Sequence, residues 1–331
     1  MKVVIDSAIP YLKGVFEPYF DVVYQPGVAF TADDVVDADA LIVRTRTKCN
    51  AALLDGSQVR LIATATIGFD HIDLDYCSRN GIRVVTAQGC NAAGVLQWVA
   101  AALAILSRRD GWAPCQKTLG IVGVGNVGSL VERYARLWGF NVLCCDPPRQ
   151  SREGGNFVDF ETILRSSDII TMHTPLDSTT YHLLNADTIS LVADNGVIIN
   201  ASRGEVADTE ALLAAPQTLL LDVWEREPEI NSQLLEKALV ATPHIAGYSA
   251  QGKANAASMV VRAVAEEFGL PIRGWYPDEV KPVERCRIDW NEMCNSIDQY
   301  ADLLAESAML KSNPAEFESM RNNYAYREEY F

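Results

Sequence analysis

Three glycines in the middle of the chain stand at a spacing that suits a bound phosphate. Gly123, Gly125 and Gly128 form G-x-G-x-x-G directly after the apolar run 118–122. In such a motif the first glycine permits a tight turn, the second lets the backbone approach a pyrophosphate, and the third lets a helix pack closely on a strand. The helix expected over 126–137 points its first amides and its positive dipole end at the phosphates. The segment therefore predicts a dinucleotide site in a β-α-β unit.

An acidic residue completes this unit. A second apolar run, 142–145, ends at Asp146, which lies 18 residues beyond Gly128. A carboxylate at that place binds both ribose hydroxyls and repels a 2′-phosphate, so the predicted cofactor is NAD rather than NADP. The alternative is a glycine-rich turn in another α/β fold.

One histidine stands where it could accept a proton. The chain has His71, His173, His182 and His244, and a single histidine is most often a structural hydrogen-bonding group. His244 differs because it follows a strand-like run, in Thr-Pro-His-Ile-Ala-Gly, beside the expected nicotinamide site. Hydride transfer from a secondary alcohol needs a base for the hydroxyl proton, and imidazole suits that role at neutral pH.

Two further residue types would complete this chemistry. A carboxylate behind the imidazole would orient it, and Glu227 is the candidate, with Glu225 as its competitor. A substrate carboxylate would need a fixed guanidinium, which Arg203 in Asn200-Ala-Ser-Arg-Gly could supply. The alternative for Arg203 is a surface salt bridge.

A small basic cluster follows a strand early in the chain. Arg44, Arg46 and Lys48 lie within five residues, and alternation puts Arg44 and Arg46 on one side of an extended segment. The cluster is either a solvated basic edge or a site for a substrate phosphate.

The elements that must position these residues alternate between strands and helices. Apolar runs predict five strands in the first part of the chain, at 3–6, 22–25, 40–44, 61–65 and 83–86, and six in the second, at 118–122, 141–145, 168–173, 197–200, 219–222 and 239–241. Such alternation indicates an α/β fold with two doubly wound, Rossmann-like parallel-sheet domains. Ligands in these sheets bind at the carboxyl ends of the strands, where Asp146, Arg203 and His244 stand.

Helices are expected over 92–108 and 250–268, and helical or turn segments over 10–19 and 73–80. A composition change at 269–277 suggests a linker, and helical pattern recurs at 291–309 and 314–329. This tail is too short for a good independent core, so we expect it to pack against a partner subunit.

Composition argues against several classes of protein. The 331 residues carry a net charge of −15 with no long Lys/Arg run, which disfavours nucleic acid and anionic membranes. The sequence shows neither a signal peptide at its start nor an apolar stretch long enough to span a bilayer. Eight cysteines without zinc-ligand spacing predict reduced thiols, a cytoplasmic protein and no metal site.

The chain resembles the D-isomer-specific 2-hydroxyacid dehydrogenases. The resemblance rests on the order of Arg203, Glu227 and His244 around G-V-G-N-V-G. It also rests on these segments: Leu41-Ile-Val-Arg-Thr-Arg-Thr-Lys, Ala63-Thr-Ala-Thr-Ile-Gly-Phe-Asp-His-Ile-Asp, Gln88-Gly-Cys-Asn-Ala, Cys145-Asp-Pro-Pro-Arg, His173-Thr-Pro-Leu, Leu221-Asp-Val-Trp-Glu-Arg-Glu-Pro-Glu and Thr242-Pro-His-Ile-Ala-Gly-Tyr. They span the chain to about residue 268, and a fainter likeness continues at Phe317-Glu-Ser-Met-Arg-Asn-Asn-Tyr.

The resemblance implies an NAD-dependent oxidoreductase acting on a small phosphorylated 2-hydroxy acid, with His244 as base, Glu227 behind it and Arg203 on the substrate carboxylate. It implies substrate contacts from Thr45, Thr66 and Tyr248, to which the basic cluster adds Arg44 and Lys48. It places these residues along NAD: Gly123, Gly125, Asn126, Val127, Gly128, Asp146, Thr174, Ala201, Ser202, Arg203, Asp222 and Gly247.

Three domains follow from the same resemblance. A flavodoxin-like substrate-binding domain is expected over 1–92 with 245–268, and the NAD-binding domain over 93–244, with a hinge and closure on substrate. A shortened α/β dimerisation domain is expected over 269–331, because the chain ends at Phe331 sooner than the resemblance predicts. The expected assembly is a homodimer.

Two other functions stay open. The chain could oxidise another D-2-hydroxy acid, of the 3-phosphoglycerate or D-lactate type, because those enzymes share the three catalytic residues. It could also be an NAD-sensing binding protein of the corepressor type, which keeps the same residues.

Overall fold

The computed structural model describes residues 1–283 and 287–331. Its strands are β1 Lys2–Asp6, β2 Asp21–Gln25, β3 Ala40–Val43, β4 Leu61–Thr64, β5 Arg83–Thr86, β6 Thr118–Val122, β7 Asn141–Cys145, β8 Ile169–Met172, β9 Val197–Asn200, β10 Thr218–Leu221 and β11 Val240–Ala241. Each predicted strand is present, with bounds that differ by at most one residue at either end.

The α-helices are α1 Ala32–Val35, α2 Ala51–Leu54, α3 Leu74–Arg79, α4 Ala92–Asp110, α5 Asn126–Trp138, α6 Pro147–Glu153, α7 Phe160–Ser166, α8 Ala186–Ile189, α9 Thr209–Ala214, α10 Ser232–Lys237, α11 Ala250–Phe268, α12 Trp290–Ser296, α13 Leu303–Ser312 and α14 Phe317–Asn322. Short 3₁₀ turns occur at Gly27–Ala29, Pro114–Gln116, Gly204–Val206, Ile297–Gln299 and Pro314–Glu316.

The chain divides into two compact units. The first unit is Met1–Asn91 with Ala250–Pro282, and the second is Ala92–Ser249 with Val283–Phe331. The predicted three-domain division, with its hinge, stays a prediction. Residues 269–282 belong to the first unit and 283–331 to the second.

The first unit is built on a five-stranded parallel sheet in the order β2-β1-β3-β4-β5. Every side chain of β3 and β4 is buried, because helices cover both faces of such a sheet. On one face, Val260, Val261 and Val264 of α11 share a core with Ile5 of β1. The sheet order reverses between β1 and β3, so a ligand crevice is expected at their carboxyl ends.

The second unit is built on a six-stranded parallel sheet in the order β11-β10-β9-β8-β6-β7. Its largest core lies under α4, whose residues 92–106 are all buried. Because these residues are buried on every side of the helix, their sequence is apolar all round and has no polar face. Since the strands are parallel, the loops after β9, β10 and β11 leave from one edge.

The C-terminal segment 287–331 packs within the second unit. Ile288, Met293 and Phe331 enter the core beneath α4, and Leu310 and Phe317 enter the core on the other face of the sheet. Its described elements are the helices α12, α13 and α14 with two 3₁₀ turns, and an isolated bridge joins Ser249 to Arg327. The tail therefore buries apolar surface in its own chain, where the sequence suggested a partner subunit.

Of the two alternatives left open for residues 10–19, the structure has turns, with φ values of 68° at Tyr11 and 84° at Gly14. Two predicted helices need correction. The helix expected over 291–309 is two helices, because α12 ends at Ser296 and the Asp302 carboxylate caps a new helix by accepting the Ala305 N–H. The helix expected over 314–329 is α-helical only in α14.

Among residues 1–283 and 287–331, no helix combines the length and apolar character that crossing a membrane requires. The described cysteines are free thiols: Cys49, Cys77, Cys90, Cys115, Cys144, Cys145 and Cys294. Cys286, expected to be reduced like them, lies outside the described residues.

Candidate active site

The glycine motif forms a tight turn between β6 and α5. Gly123 has a φ of +84°, and a Cβ there would lie 2.8 Å from the carbonyl carbon of His173 at the end of β8. At Gly128 a Cβ would lie 2.0 Å from the Gly123 oxygen, so the helix could not approach the strand. A Cβ on Gly125 would meet no atom within 4 Å. The motif thus closes around its first and third glycines and leaves open space at the second.

The start of α5 offers amides to an anion. Gly125 is its N-cap and makes no side-chain capping bond, so the first N–H groups of this 13-residue helix have no side-chain cap. Asp146 lies at the end of the adjacent strand β7, half-buried, and accepts the Val124 and Arg149 N–H groups at 2.8 Å each. A carboxylate has about four acceptor positions, so Asp146 retains capacity for ribose hydroxyls.

A buried hydroxyl beside this turn lacks a partner. Thr174 Oγ1 is buried and makes no hydrogen bond to the part of the chain that the structure describes. Buried hydroxyls are normally bonded. The helix amides, the carboxylate with remaining acceptor positions and the hydroxyl without a partner together fit a dinucleotide at this edge.

Asp222 organises the loop that carries His244. Its side chain is 1% exposed, and its Oδ1 accepts the Thr242 hydroxyl at 2.6 Å and the Ile245 N–H at 2.8 Å. Its Oδ2 accepts the Ala246 N–H at 2.9 Å, and its backbone oxygen accepts the His244 N–H.

Burial raises the pKa of Asp222, while the charge of His244 and the hydrogen bonds from Thr242, Ala246 and Ile245 oppose that rise. The predicted NAD contact of Asp222 stays a prediction, whereas its hold on the loop is a feature that the sequence did not reveal.

His244 and Glu227 form a hydrogen-bonded pair. His244 Nδ1 lies 2.8 Å from Glu227 Oε2, and their side chains are 26% and 17% exposed. The other carboxylate oxygen, Oε1, accepts the Trp224 N–H at 3.0 Å, which fixes the Glu227 side chain. Nε2 of His244 makes no hydrogen bond to the described residues, so that nitrogen is available to a ligand.

The surroundings keep Glu227 ionised. Burial alone would raise its pKa, but the hydrogen bond and charge of His244, the Trp224 N–H and the charge of Arg321 together hold the pKa of Glu227 below its usual value. An ionised carboxylate behind Nδ1 places the imidazole proton on that nitrogen and leaves Nε2 as an acceptor.

The competing glutamate serves another histidine. Glu225 Oε1 lies 2.8 Å from His182 Nε2, and its Oε2 accepts the Thr209 N–H. His182 also lies 3.6 Å from Asp208 and stacks on Tyr181. The structure therefore brings Glu227, and not Glu225, to His244.

Arg203 stands at the end of β9 without a carboxylate partner among residues 1–283 and 287–331. Its Nη1 donates to the Ser202 oxygen at 2.7 Å, and its side chain is half-buried. The surface salt bridge that the sequence left open is absent from the described residues. Asn200 fixes the loop by donating to the Arg203 oxygen and accepting from the Ser202 N–H and hydroxyl.

A glycine holds the Arg203 loop against the Glu227 loop. A Cβ on Gly204 would lie 2.0 Å from the carbonyl carbon of Trp224, so only glycine allows this approach. We expect Gly204→Ala to destabilise the second unit by about 1–3 kcal/mol, lowering the thermal midpoint by several degrees, and to reduce turnover. Gly274→Ala is the control, because a Cβ there meets nothing and no positive φ is required. Equal midpoints for the two variants would contradict the tight contact.

His173 has a structural role with a pH signature. The protein around its ring lowers its pKa from 6.5 to about 3, and its Nε2 lies 3.0 Å from Thr171 Oγ1. Since the folded pKa is depressed, its contribution to stability is complete above pH 6.5 and is lost as pH falls toward 3. We expect the thermal midpoint of the wild type to fall more steeply between pH 7 and 4 than that of His173→Gln. Parallel pH curves would show that the ring titrates normally.

The remaining predicted residues of this unit lie in loops at the carboxyl edge of the sheet. Ala201 and Gly247 are half-buried, and Ser202 is buried. The Tyr248 hydroxyl accepts a hydrogen bond from Arg321 Nε at 3.2 Å. Arg321 was not predicted as a site residue, although the faint likeness at Phe317-Glu-Ser-Met-Arg-Asn-Asn-Tyr was a signal that could have found it.

The other predicted substrate residues belong to the first unit. Arg44 Nε lies 3.0 Å from Asp6 Oδ2, an oxygen of a side chain that is 1% exposed. Arg44 therefore lies where the sheet order reverses between β1 and β3, and its two Nη atoms take no part in the bond to Asp6. Thr45 and Lys48 are exposed.

Thr66 Oγ1 lies 2.6 Å from Thr64 Oγ1 and donates to the Gly68 oxygen. Nearby, His71 Nε2 lies 3.3 Å from Thr64 Oγ1 and burial lowers its pKa.

Comparisons with known proteins show which family this chain belongs to. Residues 98–246 match the D-isomer specific 2-hydroxyacid dehydrogenase, NAD binding domain. The chain belongs to the D-isomer-specific 2-hydroxyacid dehydrogenases, a family of NAD-dependent enzymes that act on hydroxy acids. Its curated relatives include the erythronate-4-phosphate dehydrogenases of Bacteroides thetaiotaomicron, 44% identical over 99% of this chain and 97% of that one, and of Porphyromonas gingivalis, 41% identical over 99% and 94%.

Solved structures show the same fold. The D-lactate dehydrogenase of Aquifex aeolicus, complexed with NAD and lactic acid, is 26% identical with a TM-score of 0.66, over 86% of this chain and 100% of that one. The NAD⁺-bound 3-phosphoglycerate dehydrogenase of Entamoeba histolytica is 24% identical with a TM-score of 0.69, over 86% and 99%. The predicted fold, family and cofactor are confirmed.

Proposed function

We propose that this enzyme oxidises 4-phospho-D-erythronate to 2-oxo-3-hydroxy-4-phosphobutanoate with NAD, in the biosynthesis of pyridoxal 5′-phosphate (vitamin B6). The observation that carries the reaction type is the His244–Glu227 pair, because its Nε2 makes no hydrogen bond to the described residues and His244 follows the carboxyl end of a strand in the NAD-binding sheet. The substrate is proposed from the name of relatives that match almost the whole chain at 41–46% identity.

The residues proposed to hold NAD follow from the glycine turn. The first amides of α5, at Asn126 and Val127, would face the pyrophosphate, Asp146 the ribose hydroxyls and the Thr174 hydroxyl the same crevice. NAD supplies the acceptor for the hydride that leaves C2 of the substrate.

The protein side of the reaction needs a base, an orienting acid and a cation. His244 Nε2 takes the proton of the C2 hydroxyl as the C2–H bond breaks, so that C2 becomes a carbonyl. Glu227 holds the imidazole and stabilises its protonated form through Nδ1. Arg203 binds the C1 carboxylate with two parallel N–H donors and faces the C2 oxygen. One hydride and one proton leave the substrate, so the products are NADH, a proton and the 2-oxo acid.

The basic residues of the first unit are proposed to hold the substrate phosphate. Arg44 is fixed by buried Asp6 at the β1/β3 reversal, where ligands bind in sheets of this order. Lys48 makes no ion pair within the described ranges, and Thr45 lies between it and Arg44. Thr66 and Tyr248 are proposed as further substrate contacts. We further propose that the enzyme works as a cytoplasmic homodimer.

The decisive experiment measures NADH formation by the purified protein with 4-phospho-D-erythronate, 3-phosphoglycerate and D-lactate in parallel. A 2-oxo acid acceptor is added in a second series, because retained NADH would hide turnover. Activity confined to 4-phospho-D-erythronate supports the proposal, and activity on another acid alone would replace the substrate while keeping the reaction. Binding of NAD with no turnover on any of the three acids would favour an NAD-sensing protein.

The phosphate contact is tested by Lys48→Ala against Lys13→Ala, an exposed lysine of the same unit. We expect a raised KM for 4-phospho-D-erythronate in the first variant only, and an unchanged KM would remove Lys48 from the site.

A further inference from the structure

A cationic side chain of the C-terminal segment lies beside the proposed catalytic pair, Glu227 and His244. Arg321 of α14 has its Nη1 3.8 Å from Glu227 Oε2, the same oxygen that lies 2.8 Å from His244 Nδ1. Its Nε donates to the Tyr248 hydroxyl at 3.2 Å. One guanidinium therefore contacts both the carboxylate behind the base and a tyrosine proposed to touch substrate.

The rest of the segment holds this guanidinium in place. Phe317, one turn before Arg321 in α14, is 1% exposed and packs in the core of the sheet with Leu310. The Tyr248 ring packs edge-on against Tyr324, with ring centroids 6.1 Å apart. Further on, Arg327 donates to the Ala246 and Gly94 oxygens, so the tail also binds the loop that carries His244. The contact thus belongs to a packed part of the unit.

We propose that Arg321 is a positioning residue for hydride transfer, which fixes the Glu227 carboxylate against His244 and the Tyr248 hydroxyl against the substrate. The C-terminal segment then completes the active site of its own chain, in addition to any role in dimerisation. The proposal rests on the proposed function for the substrate contact of Tyr248, but its electrostatic part concerns the free protein.

The charges around the pair determine the sign of the expected effect. Two charged groups act on Glu227 and His244 from other elements: the Arg321 guanidinium of α14, whose Nε donates to the Tyr248 hydroxyl, and the Asp222 carboxylate after β10. The positive Arg321 offsets part of the attraction between Glu227 and a protonated imidazole. Without it, the pair keeps its proton to higher pH by about one pH unit. Since oxidation needs unprotonated Nε2, the acidic limb of kcat/KM moves to higher pH.

The test compares Arg321→Met and Arg321→Lys with Arg136→Met, which removes an exposed arginine that pairs with Glu132 on α5. One readout is the pH profile of kcat/KM with 4-phospho-D-erythronate. The other is the NMR titration of the imidazoles in the free protein, where four histidines give few signals and His244→Asn assigns the relevant one.

We expect Arg321→Met to move both midpoints up by about one pH unit and to raise KM, Arg321→Lys to restore most of the midpoint shift, and Arg136→Met to change neither. A wild-type titration and pH profile in Arg321→Met would overturn the proposal. So would equal changes in the lysine and methionine variants, since these would show a packing role. If the wild type turns over none of the acids, the proposed function fails, while the NMR titration still decides the role of Arg321.

Discussion

Replacing His244 by asparagine is expected to lower kcat by about 10²–10⁴-fold, the usual contribution of a positioned acid–base group. Asparagine tolerates the positive φ of 56° at this position, so the loop held by Asp222 should keep its shape. The variant cannot take the C2 hydroxyl proton, whereas the glycine turn and Asp146 are untouched. NAD affinity, measured by fluorescence titration, is therefore expected to stay within about twofold.

The chain contains a matched control for this prediction. His182 has a φ of 48° and a glutamate 2.8 Å from its ring, yet it lies in a loop after β8 and pairs with Glu225. His182→Asn should retain nearly full kcat. If both asparagine variants lose activity alike, the losses come from the loops and not from proton transfer, and His244 is not the base.

Replacing Arg203 by methionine should produce the second large effect, on kcat/KM. The guanidinium has no carboxylate partner among the described residues, and its proposed partner is the C1 carboxylate of the substrate. Removing one member of a buried charge pair costs about 2–5 kcal/mol, which is about 30- to 5,000-fold in kcat/KM. We expect a raised KM together with a lowered kcat, because the same guanidinium is proposed to face the C2 oxygen as it becomes a carbonyl.

Two variants distinguish the paired N–H donors of the Arg203 guanidinium from its positive charge. Arg203→Lys keeps the charge without the planar pair of donors, so it should recover only part of the loss. Arg165→Met removes an exposed arginine that pairs with Glu161 on α7 and should change nothing. A full recovery by lysine would mean that Arg203 attracts the substrate but does not orient it.

The strands and the cofactor turn could be predicted because their signals are local. A buried parallel strand is a short apolar run, such as Val197–Asn200 with every residue buried, and it does not depend on distant sequence. The spacing of the glycine motif is also a local signal, and the collision that excludes a side chain at Gly128 arises from Gly123 in the same turn, whereas the collision at Gly123 arises from His173 after β8.

The helical tail was harder to predict, because its interruptions depend on capping and packing. The break before Leu303 follows from an Asp302 cap, and the chain leaves α14 to pair Arg327 with Ser249. A helical pattern in the sequence does not show where tertiary contacts end a helix.

The sequence by itself determined the family and the cofactor unit, and it predicted the residue types of the candidate active site, because each is carried by a continuous motif. Only the tertiary structure decided which groups meet: Glu227 rather than Glu225 reaches His244, Asp222 fixes the loop, and Arg321 comes to the pair from the tail. Glu225 and Glu227 are two residues apart, and both are carboxylates that a histidine could use. Their different partners follow from the direction of each side chain and the packing of distant segments, which neither residue type nor spacing encodes.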